Sequence, residues 1–228
     1  MKYLRPLLRT GLAGLIGLAG LAELVQAAPM TPALQAELDR AVLEYSSGRL
    51  APARTAFESL AGRGVPAAQH NLAVMHLRGE VRRPDRVQAR RWLLRAAESG
   101  FVTAQFALGQ GLENGDFGPR DLKAAHDWYE RAALAGSVDA QVAMGTAHYL
   151  GRGRAKDALQ AAQWYREAAK RGDVGAMYLL AAMYEKGDGV GPDLRLAHYW
   201  YDLAARGGDE AAPAKLVEIE ARLAGRPS

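Results

Sequence analysis

A repeat of 36 residues constrains this chain more than any other feature of its sequence. The four tryptophans stand 36 residues apart, and the same step connects columns of alanine, glycine and aspartate. These columns are Trp92, Trp128, Trp164 and Trp200; Ala68, Ala104, Ala140, Ala176 and Ala212; Gly79, Gly115, Gly151 and Gly187; and Asp85, Asp121, Asp157 and Asp193. Four copies of one unit follow each other without gaps, so a repeat array is the expected architecture.

Each copy is predicted to form two helices, because its apolar residues recur at three- and four-residue spacing and turn residues separate them. In the second copy, Leu108 and Leu112 lie on a helical stripe that ends at Gly115, where a left-handed conformation can close the helix. Asp121 is predicted to cap the second helix, since its carboxylate can accept hydrogen bonds from the free amides of the first turn.

The sizes of the recurring residues indicate how the copies stack. Alanine recurs where two helix backbones are expected to approach closely, and Trp128 and its equivalents are expected to fill the space between one helix pair and the next. We therefore predict an all-α fold, an α/α solenoid in which two-helix repeats form a right-handed superhelix.

The residues of the repeat resemble the pattern of the Sel-1-like repeat family, which is related to the tetratricopeptide repeats. In the second copy the matching residues are Ala104, Leu108-Gly109, Asp121, Ala125, Trp128-Tyr129, Ala132-Ala133 and Gly136. The first copy departs from the pattern, because Arg82 and Arg83 replace its Gly-Val turn. The resemblance implies a non-enzymatic scaffold or adaptor that binds a protein partner, here as an exported bacterial member.

Four regions are predicted along the chain. Residues 1–27 are expected to be a signal peptide, because Lys2, Arg5 and Arg9 precede a short apolar run that ends at Val25-Gln26-Ala27. Residues 28–66 are expected to form an N-terminal capping helix pair, residues 67–208 the four repeats, and residues 209–228 a C-terminal capping helix and tail. Cleavage after Ala27 would place the protein in the periplasm or outside the cell, with no integral membrane segment. An uncleaved anchor is the alternative.

A variable stripe on the first helices is the candidate partner-binding surface. In two-helix solenoids the first helices line the concave side, and this stripe holds aromatic residues that a merely solvated face would rarely carry. The candidate residues are His70, Phe106, Gln110, Glu113, Tyr149, Tyr178 and Glu185. The alternative is that these aromatic side chains pack against the adjacent copy.

A cluster of arginines in the first copy is a second candidate surface, for an anionic glycan, a lipid headgroup or an acidic protein. Its residues are Arg82, Arg83, Arg86 and Arg90. The alternative is a solvated outer face of an end repeat. Nucleic acid is not an expected partner, because the predicted leader exports the chain and no basic–aromatic interleaving is present.

No catalytic residue, metal site or cofactor is predicted. The chain has no cysteine, which excludes disulfides and thiol nucleophiles, and its five histidines lack the spacing of a metalloprotease. The competing function is a binder or hydrolase of cell-wall fragments or anionic exported polysaccharide. Its carboxylate pair would have to be Glu113 and Glu185, which lie two repeats apart and are expected to be too distant for a dyad.

Overall fold

The computed structural model describes residues 30–225, and the predicted signal peptide lies outside them. Within this range the chain forms eleven α-helices and no strand. Their bounds are α1 Pro32–Ser46, α2 Leu50–Gly62, α3 Pro66–Leu77, α4 Arg86–Glu98, α5 Val102–Asn114, α6 Leu122–Leu134, α7 Val138–Leu150, α8 Ala158–Lys170, α9 Val174–Lys186, α10 Leu194–Arg206 and α11 Ala212–Leu223.

The helices pack in the order in which they occur along the chain. The two helices of each copy pack against each other, as in α5 with α6, and the second helix of each copy then packs against the first helix of the next, as in α6 with α7. Contacts therefore run from neighbour to neighbour, which is the arrangement of a solenoid. The predicted all-α solenoid is confirmed.

The predicted helix boundaries are confirmed both at the glycines that follow first helices and at the aspartates that precede second helices. Gly115 follows α5 with a φ of 81°, in the left-handed region, and its equivalents after α7 and α9 adopt the same conformation. The carboxylate of Asp121 accepts a hydrogen bond of 2.9 Å from the backbone N–H of Ala124. The equivalent aspartates before α4, α8 and α10 cap those helices in the same way.

The alanine columns form the contacts between helices. The five alanines of the first-helix column, from Ala68 to Ala212, are all completely buried. Alanines of the second helices, including Ala89, Ala96 and their equivalents, are also completely buried. A side chain larger than a methyl group at these positions would push the packed helices apart. The alanine columns therefore set the distance between neighbouring helices.

The tryptophan column is only half-buried, which differs from the expected role of a core filler. Trp128 remains partly exposed, and the guanidinium of Arg131 lies 4.5 Å from the centre of its ring. The next residue along, Tyr129, is only 3% exposed, and its equivalents Leu93, Tyr165 and Tyr201 are equally buried. Trp92 and Trp200 each contact two neighbouring groups of core residues, whereas Trp128 and Trp164 contact one.

Two glycines inside first helices make room for this buried column. A Cβ atom on Gly109 would lie 2.6 Å from the ring of Tyr129, and one on Gly145 would lie 2.7 Å from the ring of Tyr165. Each tyrosine therefore rests directly on the backbone of its partner helix. A larger side chain at either glycine would force the ring to shift.

A column of buried glutamines, which the sequence interpretation did not single out, connects the first three copies to the unit that precedes each of them. The amide groups of Gln69, Gln105 and Gln141 donate hydrogen bonds of 3.1–3.2 Å to backbone carbonyls near the ends of α2, α4 and α6. These carbonyls also accept hydrogen bonds from the backbone N–H groups of Gly64, Gly100 and Gly136, just after the helix ends. The glutamines therefore give each carbonyl a second hydrogen bond and tie a first helix to the end of the preceding second helix.

Additional helices cover both ends of the array. At the N-terminal end, α1 packs against α2, and α2 packs against α3. At the other end, α11 packs against α10, and its Ala212 continues the alanine column of the first helices. Helix α11 thus occupies the place of a fifth first helix. No helix among residues 30–225 is long and apolar enough to cross a membrane.

We predict that Tyr129→Ala lowers the free energy of unfolding by about 3–5 kcal/mol, because it removes a large, fully buried side chain. Trp128→Ala should cost less, since its ring is already partly hydrated. Urea unfolding of both variants, followed by circular dichroism, tests this order. A loss from Trp128→Ala that equals or exceeds that of Tyr129→Ala would contradict it.

Candidate functional site

A pocket lined by four tyrosines lies between α7, α9 and α11. Its volume is about 260 Å3. The tyrosines are Tyr149, Tyr165, Tyr178 and Tyr201, and the other lining residues are Leu179, Ala182, Met183, Glu185, Lys186 and Lys215. We call this site the tyrosine pocket.

The tyrosines of this pocket have two origins. Tyr165 and Tyr201 come from second helices and form its buried floor, whereas Tyr149 and Tyr178 come from the first helices. The rings of Tyr178 and Tyr201 meet edge to face with their centres 5.2 Å apart. Burial raises the pKa of Tyr165, and the neighbouring Asp188 raises the pKa of Tyr149. The phenol groups of Tyr149 and Tyr165 are therefore neutral.

The carboxylate of Glu185 is neutralised inside the tyrosine pocket. The hydroxyl of Tyr201 donates to it over 2.9 Å, and Arg222 on α11 approaches it to 2.8 Å. Lys215, also on α11, lies 3.8 Å away and donates to Glu218 over 2.6 Å. Lys215 and Arg222 thus turn towards the pocket.

Two further lysines at this pocket lack a carboxylate partner among the described residues. Lys186 lines the pocket and is exposed at the end of α9. The ammonium nitrogen of Lys156 lies 5.6 Å from the centre of the Tyr149 ring, which is a cation–π distance. Neither forms a salt bridge within residues 30–225. Asp188, which neighbours Tyr149, also forms no salt bridge among these residues, so these side chains give the mouth of the pocket two lysines and one carboxylate, an excess of one positive charge.

A smaller and more polar pocket occupies the same place one copy earlier. Its volume is about 160 Å3. It is lined by Glu113, His126, Tyr129, Ala143, Thr146, Ala147 and Arg152. Five of these positions, 113, 129, 143, 146 and 147, are followed 36 residues later by positions that line the tyrosine pocket. Both pockets therefore arise where the first helices of two successive copies meet, and we call the smaller one the polar pocket.

The charges of the polar pocket are paired internally. The hydroxyl of Tyr129 donates to Glu113 over 2.7 Å, and the guanidinium of Arg152 lies 3.1 Å from the same carboxylate. Burial, together with the bond to Glu113, raises the pKa of Tyr129. Unlike the tyrosine pocket, this one offers a partner no unpaired cation on its lining.

A family model described as Sel1 repeat matches residues 66–101, 102–137, 138–173 and 174–209. The chain belongs to the Sel1 repeat family. Sel1 repeats are known as protein-interaction scaffolds, which agrees with the kind of function that the resemblance implied. No curated protein matches the chain.

Solved structures of Sel1 repeat proteins share this fold. A Sel1 repeat protein from Oxalobacter formigenes is 31% identical and aligns over 82% of this chain and 77% of its own length, with a TM-score of 0.76. A protective antigen present in uropathogenic Escherichia coli strains, which displays an SLR fold, is 31% identical and aligns over 85% of this chain with a TM-score of 0.78. This chain spans only 42% of the length of that antigen.

The tertiary structure brings only some of the predicted site residues together. Tyr149, Tyr178 and Glu185 meet in the tyrosine pocket, and Glu113 lines the polar pocket. The remaining three candidates lie outside both pockets. They are His70, whose ring packs on Phe101 at 5.8 Å; Phe106, whose ring packs on Tyr129 at 5.5 Å; and Gln110, which is exposed.

Several lining residues were missed by sequence reasoning. Tyr165 and Tyr201 belong to the buried core, and they also line the floor of the pocket. Lys215 was not among the predicted site residues. The signal that could have found it is the register of α11 with the first helices, because Ala212 falls in their alanine column.

The arginine cluster of the first Sel1 repeat is exposed. Arg82, Arg83 and Arg90 form no salt bridge or hydrogen bond with other described residues. Arg86 differs, because it donates a hydrogen bond of 3.1 Å to the backbone carbonyl of Asp116 in the next copy. Part of this cluster therefore joins two copies, while the rest remains available to an anion.

Two histidines and an arginine form a buried polar cluster where the second and third copies meet. The ring of His126 is only 3% exposed and packs against Gly153 in the turn after α7. His148 lies 3.1 Å from a guanidinium nitrogen of Arg154 through its Nε2 atom. The Nδ1 atoms of both histidines and the Nε atom of Arg154 are buried without a hydrogen-bond partner among the described residues.

Both histidines are held in their neutral form. Burial is the largest cause that lowers the pKa of His126 and of His148, and the charge of Arg154 lowers both further. The other charged groups that face the pair are Glu113, Glu130, Arg152 and Asp157. Among residues 30–225, no group of three metal-ligating side chains is assembled here or elsewhere.

We predict that stability decreases as the pH falls below about 6.5, the ordinary pKa of histidine. A histidine whose pKa is lowered by folding binds its proton more readily in the unfolded chain. Its contribution to the free energy of unfolding is therefore complete above its pKa in the unfolded chain, and it is lost as the pH falls towards its pKa in the folded protein. The free energy of unfolding can fall by at most about 1.4 kcal/mol per pH unit for each histidine.

The test replaces each histidine with the residue at the equivalent position of another copy. His126→Ala follows Ala162 of the third copy, and His148→Leu follows Leu112 of the second copy. Urea unfolding of wild type and the double variant between pH 7 and pH 5 should show a flatter pH dependence for the variant. All other titrating groups are common to both proteins, so equal slopes would contradict the assignment.

Proposed function

We propose that this protein is a non-enzymatic scaffold of the bacterial cell envelope that binds a protein partner through the face formed by its first helices. The observation that carries the proposal is the tyrosine pocket, which unites Tyr149, Tyr178 and Glu185 on that face. The family supports a protein as the partner.

The composition of the tyrosine pocket supports protein binding. Tyrosine supplies a large, rigid contact area with a polar end and loses little conformational entropy on binding, which is why it is enriched at interface hot spots. The floor residues Tyr165 and Tyr201 are fixed in the core, so the pocket keeps its shape without a ligand. Preorganisation of this kind lowers the entropic cost of binding.

The arrangement of the carboxylates favours a scaffold over a hydrolase. Glu113 and Glu185 lie in different pockets, and each accepts from a tyrosine hydroxyl and pairs with an arginine. Two carboxylates in separate pockets, each engaged with its own partners, do not flank a common bond as the pair of a hydrolase must.

A second candidate function is binding of an anionic polysaccharide or cell-wall fragment. The observation that favours it is the exposed group Arg82, Arg83 and Arg90, which has no carboxylate partner among the described residues. Arginine binds carboxylate and phosphate groups in a bidentate manner. Such binding would depend strongly on salt, because exposed charges are screened.

Export is part of the proposal. We expect the mature protein to begin at Ala28 and to reside in the periplasm or outside the cell, because an apolar run followed by Val25-Gln26-Ala27 is typical of a cleaved leader. N-terminal sequencing of the protein purified from a cell that exports it tests this. A mature protein that still begins with Met1 would contradict export by cleavage.

We predict that combined Tyr149→Ala and Tyr178→Ala abolish capture of the partner, whereas Arg82→Glu, Arg83→Glu and Arg90→Glu leave it intact. The partner is first isolated from periplasm by crosslinking to wild type and then tested against each purified variant. Tyr199→Ala is the matched control, since this tyrosine is 52% exposed and lies outside the tyrosine pocket.

Circular dichroism must show that the variants remain folded. If capture is lost only in the arginine variant, and capture by wild type weakens at high salt, the arginine cluster and not the tyrosine pocket is the binding site. Undiminished capture by the folded tyrosine variant would overturn the proposed site.

A further inference from the structure

We propose that the tyrosine pocket binds an aromatic side chain that is flanked by carboxylates in an extended segment of the partner. This inference rests on the proposed function and names the chemistry of the partner at the same site. It follows from the size of the pocket, the nature of its walls and the charge at its mouth.

The size of the tyrosine pocket fits one aromatic ring. A closed cavity of about 150 Å3 is large enough to hold benzene, and this open pocket has about 260 Å3. A phenyl or indole ring would therefore enter with room for its own backbone attachment. The polar pocket, with about 160 Å3 and a charged pair across it, is a poorer fit for such a ring.

The walls of the tyrosine pocket favour a ring over an aliphatic chain. Tyr178 and Tyr201 already meet edge to face, with the remaining tyrosines and Met183 around the same space. A further ring can contact these edges and faces in the geometry that aromatic pairs prefer. Methionine sulfur also makes favourable contacts with ring edges.

The charge at the mouth of the pocket favours carboxylates next to that ring. Lys156 and Lys186 have no carboxylate partner among the described residues, whereas Glu185 is already paired with Arg222. A cationic segment would meet these two like charges against the single carboxylate of Asp188, beside Tyr149. A carboxylate on either side of the ring would pair with a lysine without disturbing any existing bond.

The position of the pocket favours an extended segment. The two pockets recur at the junctions of successive first helices, so the surface continues along the stack on both sides of the tyrosine pocket. Stacked helices lie about 8–10 Å apart, and an extended chain rises about 3.3 Å per residue. A segment about three residues long therefore passes from one junction to the next, and its flanking residues remain near the lysines.

The test uses three labelled synthetic heptapeptides with glycine and serine at their ends. The first has a central phenylalanine between two aspartates, the second has phenylalanine between two lysines, and the third has alanine between two aspartates. Fluorescence anisotropy with the protein covering residues 28–228 should show binding of the first peptide at least about tenfold tighter than either of the others, a difference of about 1.4 kcal/mol.

Variants of the protein separate the contribution of charge from that of the ring. Lys156→Glu with Lys186→Glu should weaken the first peptide at least about tenfold and reverse the preference towards the lysine peptide. Lys123→Glu with Lys170→Glu is the control of equal charge change, because these lysines lie on α6 and α8 outside the pocket. Tyr178→Ala should also weaken the first peptide, and Tyr199→Ala should not.

Equal affinity for all three peptides, or a preference for the lysine peptide in wild type, would overturn the inference. It would also be overturned if the protein dimerised in analytical ultracentrifugation and Tyr178→Ala made it monomeric, since a second copy would then occupy the pocket.

The peptide and capture experiments fail independently. If the peptide preference is absent while the tyrosine variant still loses its captured partner, only this inference is wrong. If the aspartate–phenylalanine peptide binds as expected while capture survives the tyrosine variant, the proposed partner site is wrong and the pocket serves another ligand.

Discussion

Close contact between helix backbones at the alanine columns is the constraint on which the rest of this structure depends. From Ala68 to Ala212 the same completely buried position recurs on every first helix, and the second helices carry matching alanines. Each copy is too small to bury its apolar face alone, so its stability comes from these junctions. Hydrogen bonds from the amide groups of Gln69, Gln105 and Gln141 to carbonyls at the ends of the preceding helices add to three of these junctions.

The same constraint explains why the pockets occur where they do. Because the alanines fix the spacing of the layers, the ends of neighbouring first helices leave a gap above the buried tyrosine of the second helix. The side chains around that gap do not hold the stack together, so they differ between copies. Glu113 and Thr146 make one gap polar, whereas Tyr149 and Tyr178 make the next one aromatic. The same scaffold thus carries a polar pocket and an aromatic pocket at equivalent positions of successive copies.

The junction of the second and third copies shows a different use of variable positions. Arg154 replaces the valine that the fourth copy carries as Val190, and it meets His148 in a half-buried environment. Apolar residues occupy the corresponding contacts in the fourth copy. The polar cluster is therefore a local exception in an apolar core, and its neutral histidines make this junction sensitive to acid.

Much of the fold could be predicted from the sequence. Helix periodicity, the capping aspartates and the glycines after first helices are local signals, because each acts on residues within one turn of itself. The repeat of 36 residues also indicated which positions are equivalent. The stripe on the first helices identified half of the tyrosine pocket, through Tyr149 and Tyr178, but it also included Phe106, whose ring packs on Tyr129.

Only the tertiary structure decided which columns of equivalent residues point into the core. Trp128 and Tyr129 are adjacent on one helix and both are large and aromatic, so a shared period could not show which of them enters the core. Their fate depends on the rotation of the helix about its axis, which the alanine contacts and the ring seated on Gly109 determine. Likewise, Arg222 reaches Glu185 across 37 positions because α11 stacks on α9 and α10. The sequence by itself determined the elements and their order, and the packing of those elements decided which side chains meet, because such contacts join residues that are distant along the chain.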